Sequence, residues 1–331
     1  MSIRRGTGLL AMAALAGIAL RAEPAEGETQ QMDDVVITAT RSETSTREIP
    51  ANVTVITAQD IADGNYSDVV GVLQSLGGLH FRSFSGNQEA TVDIRGFGEN
   101  SHGRVLILRD GRRLNRPDMR GINWSQIPLA SIERIEILRG PGGAMYGDNA
   151  VGGVINIITK KGTAEPTGEV VVEGGSQSYN RQALSLLGNL AGLDYALSLE
   201  RSESSGWRHR TGTRTEGGDL SLGYDLAEGL RLDVNIGLLH TEYEMPGGLL
   251  SKAAFKANPR AAQNLFDEAA EDYFTINPTL TAQLAETVEI IFETGYSRKE
   301  IESDMPSYFT PTWSDMLVET WTVSPRFVFT A

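Results

Sequence analysis

The stretch LRLDVNIGL, residues 230–238, alternates Leu230, Leu232, Val234, Ile236 and Leu238 with Arg231, Asp233, Asn235 and Gly237. Side chains of an extended backbone point to opposite faces in turn, so this period of two predicts a strand with one apolar and one polar face. The same texture runs on both sides. LDYALSLE (193–200) and LSLGYDL (220–226) alternate upstream. Downstream, Phe274, Ile276, Pro278, Leu280, Ala282 and Leu284 alternate with more polar residues, and Val288, Ile290, Phe292 and Tyr296 share one face. Eight strands are predicted, over 165–174, 179–190, 193–204, 214–226, 230–243, 271–285, 287–302 and 317–329.

These strands are longer than the ~5–6 residues usual in a soluble sheet, and they reach the ~9–11 that cross a membrane at a tilt. Their connections alternate. Leu190-Ala-Gly192, Ala227-Glu-Gly229 and Ala285-Glu-Thr287 are tight turns, whereas 205–213, 244–270 and 303–316 are longer links. Short turns at one end and long loops at the other are the asymmetry of an outer-membrane barrel. A soluble β-sandwich has no reason to sort its loops by length.

Before this region, residues 49–161 read as a compact mixed domain. Strands are predicted at 53–56, 92–95, 105–108, 132–138 and 154–159, and a helix over 61–76 that Gly77-Gly78 stops. Asp110-Gly111 is a hairpin turn. The glycine-rich run 140–153 does not cradle a nucleotide. No G-x-x-x-x-G-K-[ST] string occurs, and Gly96-Phe97-Gly98 and Gly140-Pro141-Gly142 both lack the third glycine of a dinucleotide fingerprint.

The N-terminus is an export address. Arg4 and Arg5 precede the uncharged run Gly8 to Leu20, too short for a spanning helix of about 20 residues but suited to a secretory signal cleaved after Ala22. A polar, acidic linker follows over 23–48. Within it the β-branched word Val35-Val36-Ile37-Thr38 favours an extended backbone. It reads equally as the first strand of the next domain or as a strand added to a partner's sheet edge.

Composition removes several classes. The formal charge of −14 opposes nucleic-acid binding. With no cysteine there is no thiol catalysis, zinc thiolate site or disulfide framework. The 4 histidines show neither metal-ligand spacing nor a nucleophilic triad. No enzyme chemistry, metal site or cofactor is expected. High glycine (36) with low proline (12) suits many strands and turns.

Several motifs together carry a resemblance. Asp34-Val-Val-Ile-Thr-Ala39 resembles a TonB box. Asp93-Ile-Arg-Gly96 and VLILRDGRRLN (105–115) resemble strands of the plug domain of TonB-dependent outer-membrane receptors. IPLASIERIEILRGPGGAMYGDNAVGGVINIITKK (127–161) resembles the last third of that plug along its whole length. The resemblance implies a mainly β protein of the cell outer membrane: a transmembrane antiparallel β-barrel with an N-terminal α+β plug. It divides the chain into a signal peptide (1–22), a periplasmic linker (23–48), a plug (49–161) and the first part of a barrel (162–331). It also decides for the TonB box, Asp33, Asp34, Val35, Val36, Ile37, Thr38 and Ala39, as the strand that pairs with TonB and its inner-membrane energising complex. Such barrels have about 22 strands, and a barrel of eight is filled by its own side chains. Eight strands by residue 329, and an Ala331 without a terminal aromatic, lead to the expectation that the sequence stops inside the barrel.

By the same resemblance, loops 82–90 and 112–126 are plug apices that face an extracellular ligand. Ser83, Phe84, Asn87, Gln88, Arg113, Asn115, Arg116, Arg120, Asn123 and Trp124 are the ligand candidates there. Arg112, Arg113, Arg116 and Arg120 against Asp118 make a locally basic floor, and guanidinium forks suit carboxylates and other planar anions. The alternative is that some of these arginines are plug–barrel ion pairs. Met245, Tyr308, Phe309 and Trp313 on the long loops either close over a chelate or belong to the outer aromatic girdle. Arg95 and Arg139 are candidates for pairs with barrel glutamates beyond Ala331, which would leave the chain as given a poor folder.

The expected function is import of a scarce metal chelate, an anionic ferric siderophore first, by TonB-driven displacement of the plug. A corrinoid, haem or other cofactor is the near alternative. A passive barrel or adhesin is the alternative from another class, and the TonB box argues against it. The partners are TonB, the chelate and outer-membrane lipid, and no nucleic acid.

Overall fold

In the computed structural model, the described residues are 36–37, 44–45, 52–83, 90–101, 103–115, 122–248, 251–307 and 310–329. A short ladder pairs β1 (Val36–Ile37) with β2 (Thr44–Ser45), Val36 opposite Ser45. The mixed domain then holds β3 (Asn52–Thr57), β4 (Leu79–Arg82), β5 (Thr91–Ile94), β6 (Val105–Arg109), β7 (Arg112–Arg113), β8 (Ile132–Arg139) and β9 (Gly153–Thr159). Five of these form one sheet in the order β3-β8-β9-β6-β7, with only β6 and β9 parallel; β4 and β5 pair separately. Strand β9, GVINIIT, is buried along its whole length, as its mostly apolar sequence suits a central strand, and its buried Asn156 accepts from the Gly111 N–H.

The helix predicted over 61–76 is two short helices, α1 (Ala58–Asp63) and α2 (Val69–Gln74). Asn65 takes a left-handed φ of 56° between them. Each helix has its own cap. Thr57 and Asp60 form a reciprocal capping box, and the Asp68 carboxylate accepts from the Gly71 N–H at 2.7 Å. Val69, Val70, Val72 and Leu73 of α2 pack into the core with Ile107, Ile135, Ile137, Ile155 and Ile157 of the sheet.

The β6–β7 hairpin is closed by Asp110 and Gly111, both at positive φ (50° and 78°), as a primed two-residue turn demands. The Asp110 carboxylate accepts from the Thr159 N–H and hydroxyl at 2.9 Å each, and Asn156 Oδ1 accepts from the Gly111 N–H at 3.1 Å. Sequence reading missed β4, β7 and the short helices α3 (Gly143–Tyr146) and α4 (Lys252–Ala257), all of a few residues.

The remaining strands form one 8-stranded antiparallel meander, each paired with its chain neighbour. They are β10 (Thr167–Gly174), β11 (Asn180–Leu190), β12 (Leu193–Ser204), β13 (Thr213–Ala227), β14 (Leu230–Glu244), β15 (Glu268–Ala285), β16 (Val288–Met305) and β17 (Thr312–Phe329). Registration explains the alternation. One row across neighbouring strands is Leu197, Leu220, Ile236, Ile276, Tyr296 and Trp321, an apolar outer row. The adjacent inner row is Ser185, Ser198, Asp219, Gly237, Thr275, Ser297 and Thr320, small or polar throughout. Nearer the long loops the outer face turns charged, with Arg201, Glu216, His240, Asp272 and Glu300 in one row. An apolar exterior band, a polar interior and charges above the band are what a membrane wall requires.

Candidate functional site

The inner row faces the mixed domain, and two flanks of that domain meet the wall differently. On one flank, the turn before β8 presents Ala130, whose carbonyl accepts from the Ser185 hydroxyl at 3.2 Å and whose N–H donates to Glu200. Behind it, Arg181 bridges Glu200 (2.9 Å) and Glu173 (3.1 Å), so the wall charges there are paired.

On the other flank lies the β6–β7 hairpin. Arg109 reaches the wall and pairs with Asp219 at 2.6 Å. Burial alone would lower the pKa of Arg109, but the charges of Asp219 and Asp110 outweigh it and hold the group above its ordinary value. Arg112 donates to the Thr279 hydroxyl. Burial pulls its pKa below the ordinary value, with Glu293 and Asp110 opposing. A cavity of about 370 Å³ separates the hairpin from the wall. A smaller one of about 90 Å³ adjoins it towards the buried pair Glu271–Lys299, whose charges meet at 2.6 Å.

The apex residues are placed as follows. Trp124 is not on an open surface: it is only 3 % exposed, inside the core, with its indole N–H donating to the Ala90 carbonyl at 2.7 Å. Asn123 is also buried, and its Oδ1 caps a short 3₁₀ turn by accepting from the Ser125 N–H. Asn115 is a latch: Oδ1 accepts from the Ile107 N–H at 2.7 Å and Nδ2 donates to the Val105 carbonyl at 2.9 Å. Its side chain is spent on the backbone. Arg113 pairs with Asp148 at 2.7 Å, which holds the Asp148 carboxyl below its usual range. Ser83 is exposed. Phe84, Asn87, Gln88, Arg116 and Arg120 lie outside the described residues, as do Tyr308 and Phe309. Of the box residues, Val36 and Ile37 are extended and paired with β2, while Asp33, Asp34, Val35, Thr38 and Ala39 lie outside the described residues.

Trp313 is on β17 rather than in the loop expected to hold it, because β16 and β17 run further than their alternation suggested. It shares the outer face with Leu317 and Trp321 and is 65 % exposed. Met245 lies in a tied loop, its N–H donating to the Asp267 carbonyl at 2.9 Å. Asp267 is wholly buried; its carboxylate accepts from the Ser307 N–H (2.8 Å) and the Asn264 amide (2.6 Å). The loops that follow β14 and β16 are thus joined through one side chain. Among the described residues, Arg95 and Arg139 make no ion pair, and the Nε of Arg139 is buried without a hydrogen-bond partner. The plug–wall pair that does form, Arg109–Asp219, was not anticipated. Its signal was Asp219, a charge at an inward position of a membrane strand.

A compact α+β domain seated against the polar inner face of a long-stranded antiparallel wall defines the plug-and-barrel class of outer-membrane protein. Residues 45–154 match the family model described as TonB-dependent Receptor Plug Domain. The chain is 39 % identical over 157 residues to the vitamin B12 transporter BtuB of Vibrio vulnificus, covering 47 % of this chain and 25 % of that protein. It is 32 % identical over 211 residues to the vitamin B12 transporter BtuB of Photobacterium profundum, covering 64 % and 32 %. The fold is similar to that of the ferric citrate transporter FecA in its unliganded form, at a TM-score of 0.74 and 22 % identity over 85 % of this chain and 44 % of that one. Residues 45–154 thus carry the plug domain of TonB-dependent receptors, and the chain around them is similar to such outer-membrane proteins. It spans between a quarter and a third of the length of the curated relatives named here. Those relatives are transporters, not enzymes.

Proposed function

We propose that this chain is the plug and the first barrel strands of an importer of a bulky metal chelate, driven by force from TonB. The observation that carries the reading is a folded plug held to the wall by few polar contacts on one flank, beside a cavity. The outer membrane holds no nucleotide store, so uphill import needs work from elsewhere. In this reading residues 33–39 add as a strand to TonB, and their main-chain hydrogen bonds share the load along the chain. Tension is passed to the plug, which shifts or partly unfolds.

For the cargo, two readings stand on different observations. An anionic ferric siderophore is motivated by the arginines of 112–120, and by the likeness in fold to a ferric citrate transporter. Arg112 and Arg113, however, are engaged with Thr279 and Asp148, which leaves less free cationic surface for an anion. A corrinoid is favoured by the two sequence relatives given above, each a vitamin B12 transporter. Uptake of radiolabelled cyanocobalamin and of ⁵⁵Fe-loaded siderophores, by cells with and without the gene, separates the readings. Gene-dependent entry of neither would contradict import of this class of cargo.

A further inference from the structure

The two cavities beside the β6–β7 hairpin share Arg113, Leu114, Gln126, Tyr273, Ser297 and Thr320 in their walls, so they form one seam between plug and barrel. The seam runs from the Glu271–Lys299 pair to Arg112. Its walls carry both charges, Arg109 and Arg112 against Asp219 and Glu293, together with neutral hydrogen-bonding groups on Asn235 and Asn277. Gly237 and Gly295 allow it to stay open. A Cβ on either would meet the Thr275 methyl at 2.8 Å or Asn277 Oδ1 at 2.6 Å, so these neighbours lie back against the wall.

The plug flank on this seam is also its weakest edge. Strand β7 has two residues and ends the sheet, paired only with β6. Its described links to the wall are the Arg109–Asp219 ion pair and the Arg112–Thr279 hydrogen bond. Arg109, Asp219 and Arg112 all border the cavity, so water reaches each group and replaces its lost partner once the edge parts, although the Arg109–Asp219 pair is buried while the plug is seated. On the opposite flank Ser185 and Ser198 are buried beneath Ala130, and the neighbouring Arg181 is held by both Glu200 and Glu173.

We propose that the plug yields along its β6–β7 edge, and that the seam so widened is the passage for a hydrophilic, hydrogen-bonding cargo, while the Ala130 turn stays seated. This rests on the import reading above. The lining sets the cargo class: its charges of both signs and its amides match a cargo's polar groups, beside an apolar share of the wall from Leu106, Leu108, Ile236 and Val323.

Thr275 and Ser198 test it directly. They are buried residues of one inner register row, Thr275 on the seam and Ser198 under the opposite flank, and the chain has no cysteine of its own. Thr275→Cys and Ser198→Cys receptors are exposed in whole cells to a membrane-impermeant maleimide, with cyanocobalamin and ferric citrate present, and with or without TonB. Local opening at the seam predicts that TonB accelerates labelling of Thr275→Cys about tenfold and leaves Ser198→Cys within about twofold. Equal acceleration at both positions, acceleration at Ser198→Cys alone, or no response at either overturns the seam. Uptake of both labelled probes at the same rate without TonB rejects the import reading instead, whatever the labelling shows.

Discussion

Arg109 on the plug and Asp219 on the barrel wall meet at 2.6 Å with 15 % and 8 % of their side chains exposed. A guanidinium so placed is tolerable only while its carboxylate is present. Asp219→Asn removes the charge and leaves Arg109 buried, at a cost of about 3–5 kcal/mol where such pairs have been broken from one side. Hydrogen exchange over 105–115 should accelerate accordingly. Replacing both partners, Arg109→Met with Asp219→Leu, should restore protection to near the native level, because no unpaired charge remains.

Asn115 holds the hairpin from within. Asn115→Ala leaves the Val105 carbonyl and the Ile107 N–H without their partners, and should destabilise the plug by about 1–3 kcal/mol. Asn115→Asp keeps the acceptor for Ile107 but loses the donor to Val105, so its effect should be intermediate. Exchange rates at the Ile107 amide distinguish the two variants.

Asp267 ties the loop after β14 to the loop after β16. Its hydrogen bonds are to a buried charged group, each worth about 1.5–3 kcal/mol. Asp267→Ala should therefore speed trypsin cleavage after Lys252, Lys256 and Arg260 about tenfold or more, without altering the strand content seen by circular dichroism. Unchanged cleavage would show that the loop is held elsewhere.

The cap of α1 depends on pH. Asp60 is held below its ordinary pKa by the Thr57 hydroxyl and N–H. A depressed folded value contributes stability above the unfolded pKa and loses it as pH falls through the folded one, so α1 should loosen below about pH 4. Protection factors over 58–63, corrected for the intrinsic exchange rate, should fall at pH 3 relative to pH 6 in the native protein. Asp60→Asn should show no such change.

The wall was legible because a membrane strand must present different chemistry on its two faces, and Leu230 to Leu238 does so without interruption. The buried sheet strands were legible for the complementary reason, a mostly apolar, β-branched stretch such as 153–159. The two helices were read as one because Val69, Val70 and Leu73 continue the apolar pattern of Ile61 across Asn65, whose backbone breaks it. Trp124 and Asn123 were read as ligand residues because a loop position between polar neighbours carries no signal of depth. Only the folded chain brings Ala90 to the Trp124 indole. The Arg109–Asp219 pair joins residues remote in sequence, and no local period could have matched them.

The proposed coupling strand allows the most direct test of the central claim. Val36 is extended in the segment that resembles a TonB box, and a proline there cannot donate a strand hydrogen bond. Radiolabelled cyanocobalamin and ⁵⁵Fe-siderophore are measured for binding at 0 °C and for accumulation at growth temperature, in cells carrying the native or the Val36→Pro receptor. The account predicts binding equal to native with accumulation at the level of cells lacking TonB. Accumulation by Val36→Pro at the native rate would contradict it.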